Sequence, residues 1–414
     1  MNPVLQITHK PVFDGSITRY QDQTVNPGNP LAISNNDIIH FSVNQSDSLT
    51  HLHESYFFIT GKLRKLTPAA AGGGQPVDGP AATTSLANSG VLHLFSRAEL
   101  KINNLTVESI VDPGLTCIPK IFATFTEGET KQLSSMGWPL GTTVTSNTGE
   151  FNIRIPFSVL FGLGYDVLQV LVNTKIEILL TRARSDNDAL YQSAAENGVY
   201  LKLEKVVFKV PHVSVDDKNR LALLHTIEKD APLNLTFRSW DKYQIPALPA
   251  TTKYSWSIKT SSHTECPRFV IFFLQTGRSG VLTRSSSEFD HCRLRNVKLW
   301  LNNESFPQED LDQDFDQKNY ALFYHMYLNL LKAYTNLRDP APVMSYTEYK
   351  SATPLFIIDC SHQKDRPKHG GIDVRLDFEA KEAFPANTTA HCVIVHDSVY
   401  EYQPLSNSIR KYEG

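Results

Sequence analysis

The chain has 414 residues, 40 of them Lys or Arg and 43 Asp or Glu, for a formal charge of −3. That length gives two domains room for a core each. The cations are not clustered, with Lys10 and Arg19 alone in the first thirty residues, which excludes a chain that neutralises nucleic acid directly.

Residues 1–30 are polar and turn-rich, ending in Asn26-Pro27-Gly28-Asn29-Pro30, and read as an N-terminal arm. A first β-sandwich is expected over 31–213. Its strand-like runs are Asp37 to Val43, Ser55 to Leu63, Leu94 to Glu108, Phe151 to Phe157, Lys175 to Leu180 and Tyr200 to Val210. Thr67 to Gly90 is a Pro, Ala, Gly and Ser stretch without periodicity. It holds too little apolar surface to offset its ordering entropy, so an exposed, mobile loop is expected there. A short helix is expected near Pro119 to Phe125.

Within 214–232, Leu221, Leu224 and Ile227 fall at helical spacing behind Asp216 and Asp217, which favour a helix N-terminus; this predicts a linker helix. A second sandwich is expected over 233–403. Its runs are Tyr254 to Lys259, Arg268 to Leu274, Cys292 to Phe306, Leu355 to Cys360, Ile372 to Phe378 and Ala390 to Tyr400. Its largest insertion, Asn319 to Asn336, carries Tyr320, Phe323, Tyr324, Tyr327, Leu328 and Leu331 as a helical stripe, and Pro340-Ala341-Pro342 ends it. Residues 404–414 form a short polar tail.

The runs of the two halves match in order. Leu94 to Glu108 and Cys292 to Phe306 both alternate, both place Arg or Lys on the polar face, and both turn on Asn-Asn, at Asn103-Asn104 and Asn302-Asn303. Asparagine suits such a turn because it tolerates left-handed backbone angles. Two unrelated antiparallel domains would align in a similar way, but ordered matches with drifting spacings fit a duplication in which loops vary around a fixed sheet.

Candidate chemistry is thin. His51-Leu52-His53-Glu54 places two His on one side of a strand, but Glu54 points to the other side and the second half offers no matching pair, so solvated histidines at a strand end are expected. Asp310-Leu311-Asp312-Gln313-Asp314-Phe315-Asp316 alternates carboxylates. A calcium loop starting at Asp312 would need Gly and Glu where Gln317 and Phe323 stand, so Asp316 is expected to cap the following helix instead. Ser158-Val159-Leu160-Phe161-Gly162 lacks the first glycine of a nucleophile elbow. Gly277-Arg278-Ser279-Gly280 and Gly370-Gly371 are turn signals, and His391 and His396 flank Cys392 without a triad pattern. No catalytic residue, cofactor site or metal site is expected.

The five cysteines form no C-x-x-C pair, as in a chain made in a reducing compartment. The N-terminus lacks the pattern of a signal peptide, and no apolar run is long enough for a bilayer. A soluble protein made inside the cell and not secreted is expected.

Several segments resemble the small double jelly-roll major capsid proteins of Polinton or Maverick elements and adintovirus-like sequences. They are Phe289-Asp290-His291-Cys292-Arg293-Leu294-Arg295-Asn296, Leu301-Asn302-Asn303-Glu304-Ser305-Phe306-Pro307, Ile155 to Gly162, Pro211-His212-Val213 and Ala383-Phe384-Pro385-Ala386-Asn387-Thr388. The resemblance spans about residue 12 to 400, and the Thr67 to Gly90 stretch departs from it. It implies an all-β chain of two tandem eight-stranded antiparallel jelly-roll sandwiches, with a linker helix and helical loop insertions.

In the lineage shared with adenoviruses and tectiviruses, such chains form homotrimers that act as pseudo-hexameric capsomers of an icosahedral virion shell. The implied partners are further copies of the chain, neighbouring capsomers and penton or minor capsid proteins, with an inner membrane in some relatives. The arm would lie on the inner side, and no sequence-specific nucleic-acid binding is implied. Tyr320, Phe323, Tyr324 and Tyr327 are candidate trimer contacts, aromatics being favoured at interfaces; packing within the sandwich is the other reading of the same stripe. Two alternatives belong to other classes. One is a duplicated jelly-roll enzyme, a bicupin or an amidase of the peptide:N-glycanase type, and the other a lectin-like binding module.

Overall fold

The structure, a computed structural model, describes residues 15–28, 33–44, 49–67, 77–138, 144–258, 266–362 and 372–412. Residues 1–14 and 29–30 of the expected arm, 68–76 of the expected loop and the Gly370-Gly371 turn lie outside them.

Sixteen principal strands fall into two sets of eight. The first set is β1 Ile17–Val25, β2 Ile38–Asn44, β3 Tyr56–Thr67, β4 Phe95–Ile102, β5 Leu105–Val111, β6 Glu150–Pro156, β7 Lys175–Arg182 and β8 Val199–Val215. The second is β9 Leu233–Ile245, β10 Lys253–Ile258, β11 Pro267–Thr276, β12 Leu294–Leu301, β13 Glu304–Phe306, β14 Phe356–Asp359, β15 Val374–Ala380 and β16 Thr388–Gln403. In the first half the antiparallel sheets run β1-β8-β3-β6 and β2-β7-β4-β5. In the second they run β9-β16-β11-β14 and β10-β15-β12-β13. Adding eight to each strand of the first half gives the second. Each half is a jelly roll, and the chain is a duplication of that unit.

Local chemistry explains the matched hairpins. Asn103 and Asn104 both take left-handed angles, with φ of 48° and 70°, the geometry of a tight turn whose twist suits the flanking strands. In the second copy Asn302 takes φ 53°. Alternation drives the strands together: β3 buries Phe57, Ile59 and Leu63 against Phe41 and Phe208, and β11 buries Phe272 against Phe356 and Phe378.

Among the described residues the α-helices of five residues or more are α1 Pro113–Thr124, α2 Gly162–Asp166, α3 Asp217–Glu228, α4 Ala321–Thr335 and α5 Tyr346–Ser351. α1 lies between β5 and β6, while α4 and α5 lie between β13 and β14, so the helical insertions also occupy equivalent connections. α3 stands between the halves, N-capped by Asp216, whose carboxylate accepts from the Asn219 amide at 3.1 Å. Among the described residues no helix is long and apolar enough to cross a membrane.

Two expectations need correction. The stretch read as an arm contains β1, which pairs along its length with β8. It lacks an alternating pattern because nearly every residue of Ile17–Val25 is exposed. The stretch read as a loop carries strands and buried residues within 77–90. Val77–Pro80 pairs with β3, Thr84–Leu86 pairs with Leu190–Gln192, and 86 to 90 are buried. Glu196, far away in sequence, holds the middle of this segment. Its carboxylate accepts from the Ala82 amide at 2.9 Å, the Thr83 amide at 3.0 Å and the Thr84 hydroxyl at 2.8 Å.

Candidate functional site

A cluster of buried polar groups lies on the seam between the two sandwiches. Arg238 on β9 reaches Asp166 at the end of α2: its amide donates at 2.8 Å and its Nε at 3.0 Å to Oδ2, while Nη2 bonds Oδ1. Nη1 donates to the Tyr334 carbonyl at 3.1 Å, and the guanidinium lies 3.4 Å from the centre of the Tyr334 ring. Four residues along β9, the buried Lys242 ammonium donates to Asp112 at 2.6 Å. Burial pushes the Lys242 pKa down and Asp112 opposes it.

Glu108 on β5 prepares the surface that Arg238 meets. Its two oxygens accept from the amides of Gly162 at 2.8 Å and Leu163 at 3.2 Å, satisfying donors that the start of a helix leaves unpaired. Burial raises its pKa to about 7, against the Lys120 charge and those two amides. Lys120 is buried as well and donates to the carbonyls of Ser158 at 2.9 Å and Val159 at 3.3 Å. It also lies 5.8 Å from the Trp240 ring of the other sandwich.

Hydrogen bonds tie both ends of the seam. At one end Tyr402 donates to the carbonyls of Val172 at 2.6 Å and Asn173 at 2.7 Å, and Tyr400 donates to that of Val107 at 3.1 Å. Asn103 and Asn173 donate to the carbonyls of Asn407 at 3.1 Å and Pro404 at 2.7 Å. At the other end Asp188 accepts from the Gly280 amide at 2.6 Å and the Ser286 hydroxyl at 3.0 Å, and His93 meets Ser287 at 3.3 Å. Charged bonds out of water are stronger than their surface equivalents. With pairs in the middle and ties at both ends, the sandwiches are held at one fixed angle.

The segments singled out in the sequence build this scaffold. Ile155 to Gly162 supplies the carbonyls that hold Lys120 and the glycine against Arg238. Pro211-His212-Val213 pairs with Asp22, Gln21 and Tyr20 of β1. Asp290 accepts from the Thr276 amide at 2.8 Å and from Arg278 Nε at 2.9 Å, and Phe384 packs on Phe378 at 5.5 Å. Glu108, Asp112, Asp166, Arg238 and Lys242 escaped the sequence reading, because each meets a partner in a distant segment. The one local signal is Glu108, a carboxylate set between Val107 and the Ile110-Val111 end of its strand.

The candidate contact residues on α4 prove to be internal. Tyr320, Phe323 and Tyr327 are buried, and Tyr324 is half-buried. Tyr320 stacks on Tyr346 at 4.2 Å, Phe323 meets Phe356 edge-on at 4.8 Å, and the Tyr327 hydroxyl accepts from the Val343 amide at 3.2 Å. The Tyr324 hydroxyl donates to the Met344 carbonyl at 2.9 Å. This face secures the helix to its own sandwich.

Each Asp of the 310–316 run has a basic partner: Asp310 with Lys298 at 2.8 Å, Asp312 with Arg295, Asp314 with Lys381 at 2.8 Å and Asp316 with Arg293 at 3.2 Å. Asp316 therefore does not cap α4, whose N-cap position is Tyr320. His51 and His53 are not free in solvent. His51 bonds the Tyr20 hydroxyl at 3.0 Å and the Leu168 carbonyl at 3.1 Å, and His53 the Gly164 carbonyl at 2.7 Å. His391 is buried against Phe273 at 5.0 Å, and burial lowers its pKa to about 3. Among the described residues no three His, Cys, Asp or Glu converge in a geometry that would hold a metal ion.

A family model described as a double jelly roll-like domain matches residues 84–400. The chain belongs to that family. Solved structures share the fold of the double jelly-roll chain at low identity. PBCV-1 VP54, as fitted into a reconstruction of the virophage Sputnik, aligns at 10% identity over 98% of this chain and 99% of its own, with a TM-score of 0.59. The mavirus major capsid protein aligns at 10% identity over 99% of this chain and 92% of its own, with a TM-score of 0.58. The Faustovirus major capsid protein aligns at 9% identity over 96% and 92%, with a TM-score of 0.58. No curated protein sequence matches the double jelly-roll chain.

Proposed function

We propose that this chain is a viral major capsid protein that trimerises into pseudo-hexameric capsomers and builds an icosahedral shell. The observation that carries the reading is the rigid seam between two sandwiches of one topology. Three chains so built place six equivalent sandwiches around a threefold axis, a tile that packs like a hexagon. The molecule acts as a structural block and not as an enzyme: its buried ionic groups hold carbonyls, amides and each other. Its place is the virion, its partners are its own copies and neighbouring capsomers, and penton or minor capsid proteins complete the shell. The likeness in fold to the mavirus and Faustovirus major capsid proteins supports this reading.

Negative-stain microscopy of the purified chain tests it. Homogeneous trimers with a hexagonal outline, or closed shells, are expected. Monomers that bind a transition metal stoichiometrically would overturn the proposal in favour of a duplicated jelly-roll enzyme.

A further inference from the structure

β1 and β9 hold the same place in the two halves, each the edge strand beside the longest strand of its sandwich. Their surroundings differ. β9 buries Leu235, Phe237 and Trp240, and its Arg238 and Lys242 are paired across the seam. β1 is exposed from Ile17 to Thr24, with Ile17 at 52% and Tyr20 at 48%. Tyr20 is nevertheless held in place, its hydroxyl 3.0 Å from His51 and its ring edge-on to that imidazole. A long, solvent-exposed edge strand is a surface on which another chain can dock.

The helical insertions differ in the complementary sense. α1 is buried at every residue except the half-buried Leu115. α4, in the equivalent connection, leaves Leu322, His325, Asn329 and Lys332 open. This face is opposite the aromatic stripe.

We infer that β1 is the docking strand for the exposed α4 face of a second copy of this chain. The contact made once inside each chain, α1 and α2 on β9, is then made again between chains, α4 on β1. The inference rests on the trimeric reading above and names its interface. A head-to-tail contact of this kind closes into a ring when its rotation permits. Internal and external contacts then alternate around six sandwiches.

Charge separates the two contacts. Inside the chain a basic β9, through Arg238 and Lys242, meets the acids Asp166 and Asp112. Between chains the acids lie on the other partner: Asp22 and Glu54 stand beside Tyr20, with Arg19 the single cation of β1, and α4 offers Lys332. An α4 face brought to another chain's β9 would oppose like charges, which favours β1.

Sedimentation and native mass spectrometry of full-length Tyr20→Glu, Leu322→Glu and, on the exposed linker helix, Leu221→Glu test the assignment. Tyr20→Glu and Leu322→Glu should each fall from trimer to monomer with unchanged circular dichroism, while Leu221→Glu stays trimeric. An equimolar mixture of Tyr20→Glu and Leu322→Glu should form a heterodimer, because one intact α4 face meets one intact β1. If both variants remain trimers beside a trimeric parent, the assignment is overturned and the trimeric reading stands. A parent protein that is itself monomeric overturns both.

Discussion

Arg238 and Asp166 bind the two sandwiches to each other through the Arg238 amide, at 2.8 Å, and its guanidinium, at 3.0 Å from Nε. The carboxylate thus fixes both the path of β9 and its side chain. Neither residue has much solvent to fall back on, so removing one leaves the other buried and unpaired. Asp166→Ala and Arg238→Ala are each expected to cost about 3 kcal/mol. The double variant should cost less than the sum, since the second change removes the stranded charge. Urea denaturation of the four proteins measures the coupling.

Gly162 shows how closely the halves approach. A Cβ at this position would sit 1.8 Å from the Arg238 carbonyl oxygen, a backbone atom of the other sandwich that no rotamer can move. Gly162→Ala should therefore destabilise the chain by about 3 kcal/mol, at the upper end for overpacking. Gly79→Ala, where a Cβ meets nothing within 4 Å, should stay within about 0.5 kcal/mol of the parent. Thermal melts of the two variants make the comparison, and equal melting points would refute it.

The repeat itself was legible in the sequence, because strands such as β3 and β12 alternate and the Asn103-Asn104 and Asn302-Asn303 turns name their own geometry. β1 was not. Ile17 and Tyr20 face no core and only Val25, at its end, packs against one, so no period of two appears. The α4 stripe was legible as a helix, but periodicity marks a buried face without telling which surface buries it. Tyr346, Tyr349 and Phe356 do so from the same sandwich. The seam was invisible for a related reason. Glu108 with Gly162, and Asp166 with Arg238, become neighbours through topology, and local composition carries no trace of it.

Glu196 anchors the middle of the 77–90 segment. Burial would raise its pKa, but the amides of Ala82 and Thr83, the Thr84 hydroxyl and Lys65 outweigh that and hold it at about 2. A depressed carboxyl stabilises the folded state above its ordinary pKa and loses that contribution as pH falls toward 2. Glu196→Ala should therefore speed amide hydrogen exchange across 77–90, cost about 1–3 kcal/mol near neutrality and flatten the acid limb of stability. Protection of 77–90 equal to that of the parent would show that other contacts hold the segment.

Glu108 acts in the opposite sense. Its pKa is raised to about 7, so between its ordinary value near 4.5 and 7 the folded protein binds a proton that the unfolded chain releases. Stability from this group therefore falls as pH rises through that window, by about 1.4 kcal/mol per unit at most. His93 works against it: burial lowers its pKa to about 4, so its contribution improves as pH rises toward its unfolded value of 6.5. The parent's profile is a sum of such terms, and only a difference isolates one of them. Glu108→Gln removes the titration and keeps a carbonyl oxygen for one of the Gly162 and Leu163 amides. Its stability relative to the parent should rise from pH 5 to pH 7, although its absolute stability is lower for want of the second acceptor. Parallel denaturation curves at pH 5, 6 and 7 decide the matter, because a constant difference between the two proteins would mean that Glu108 does not titrate in this range.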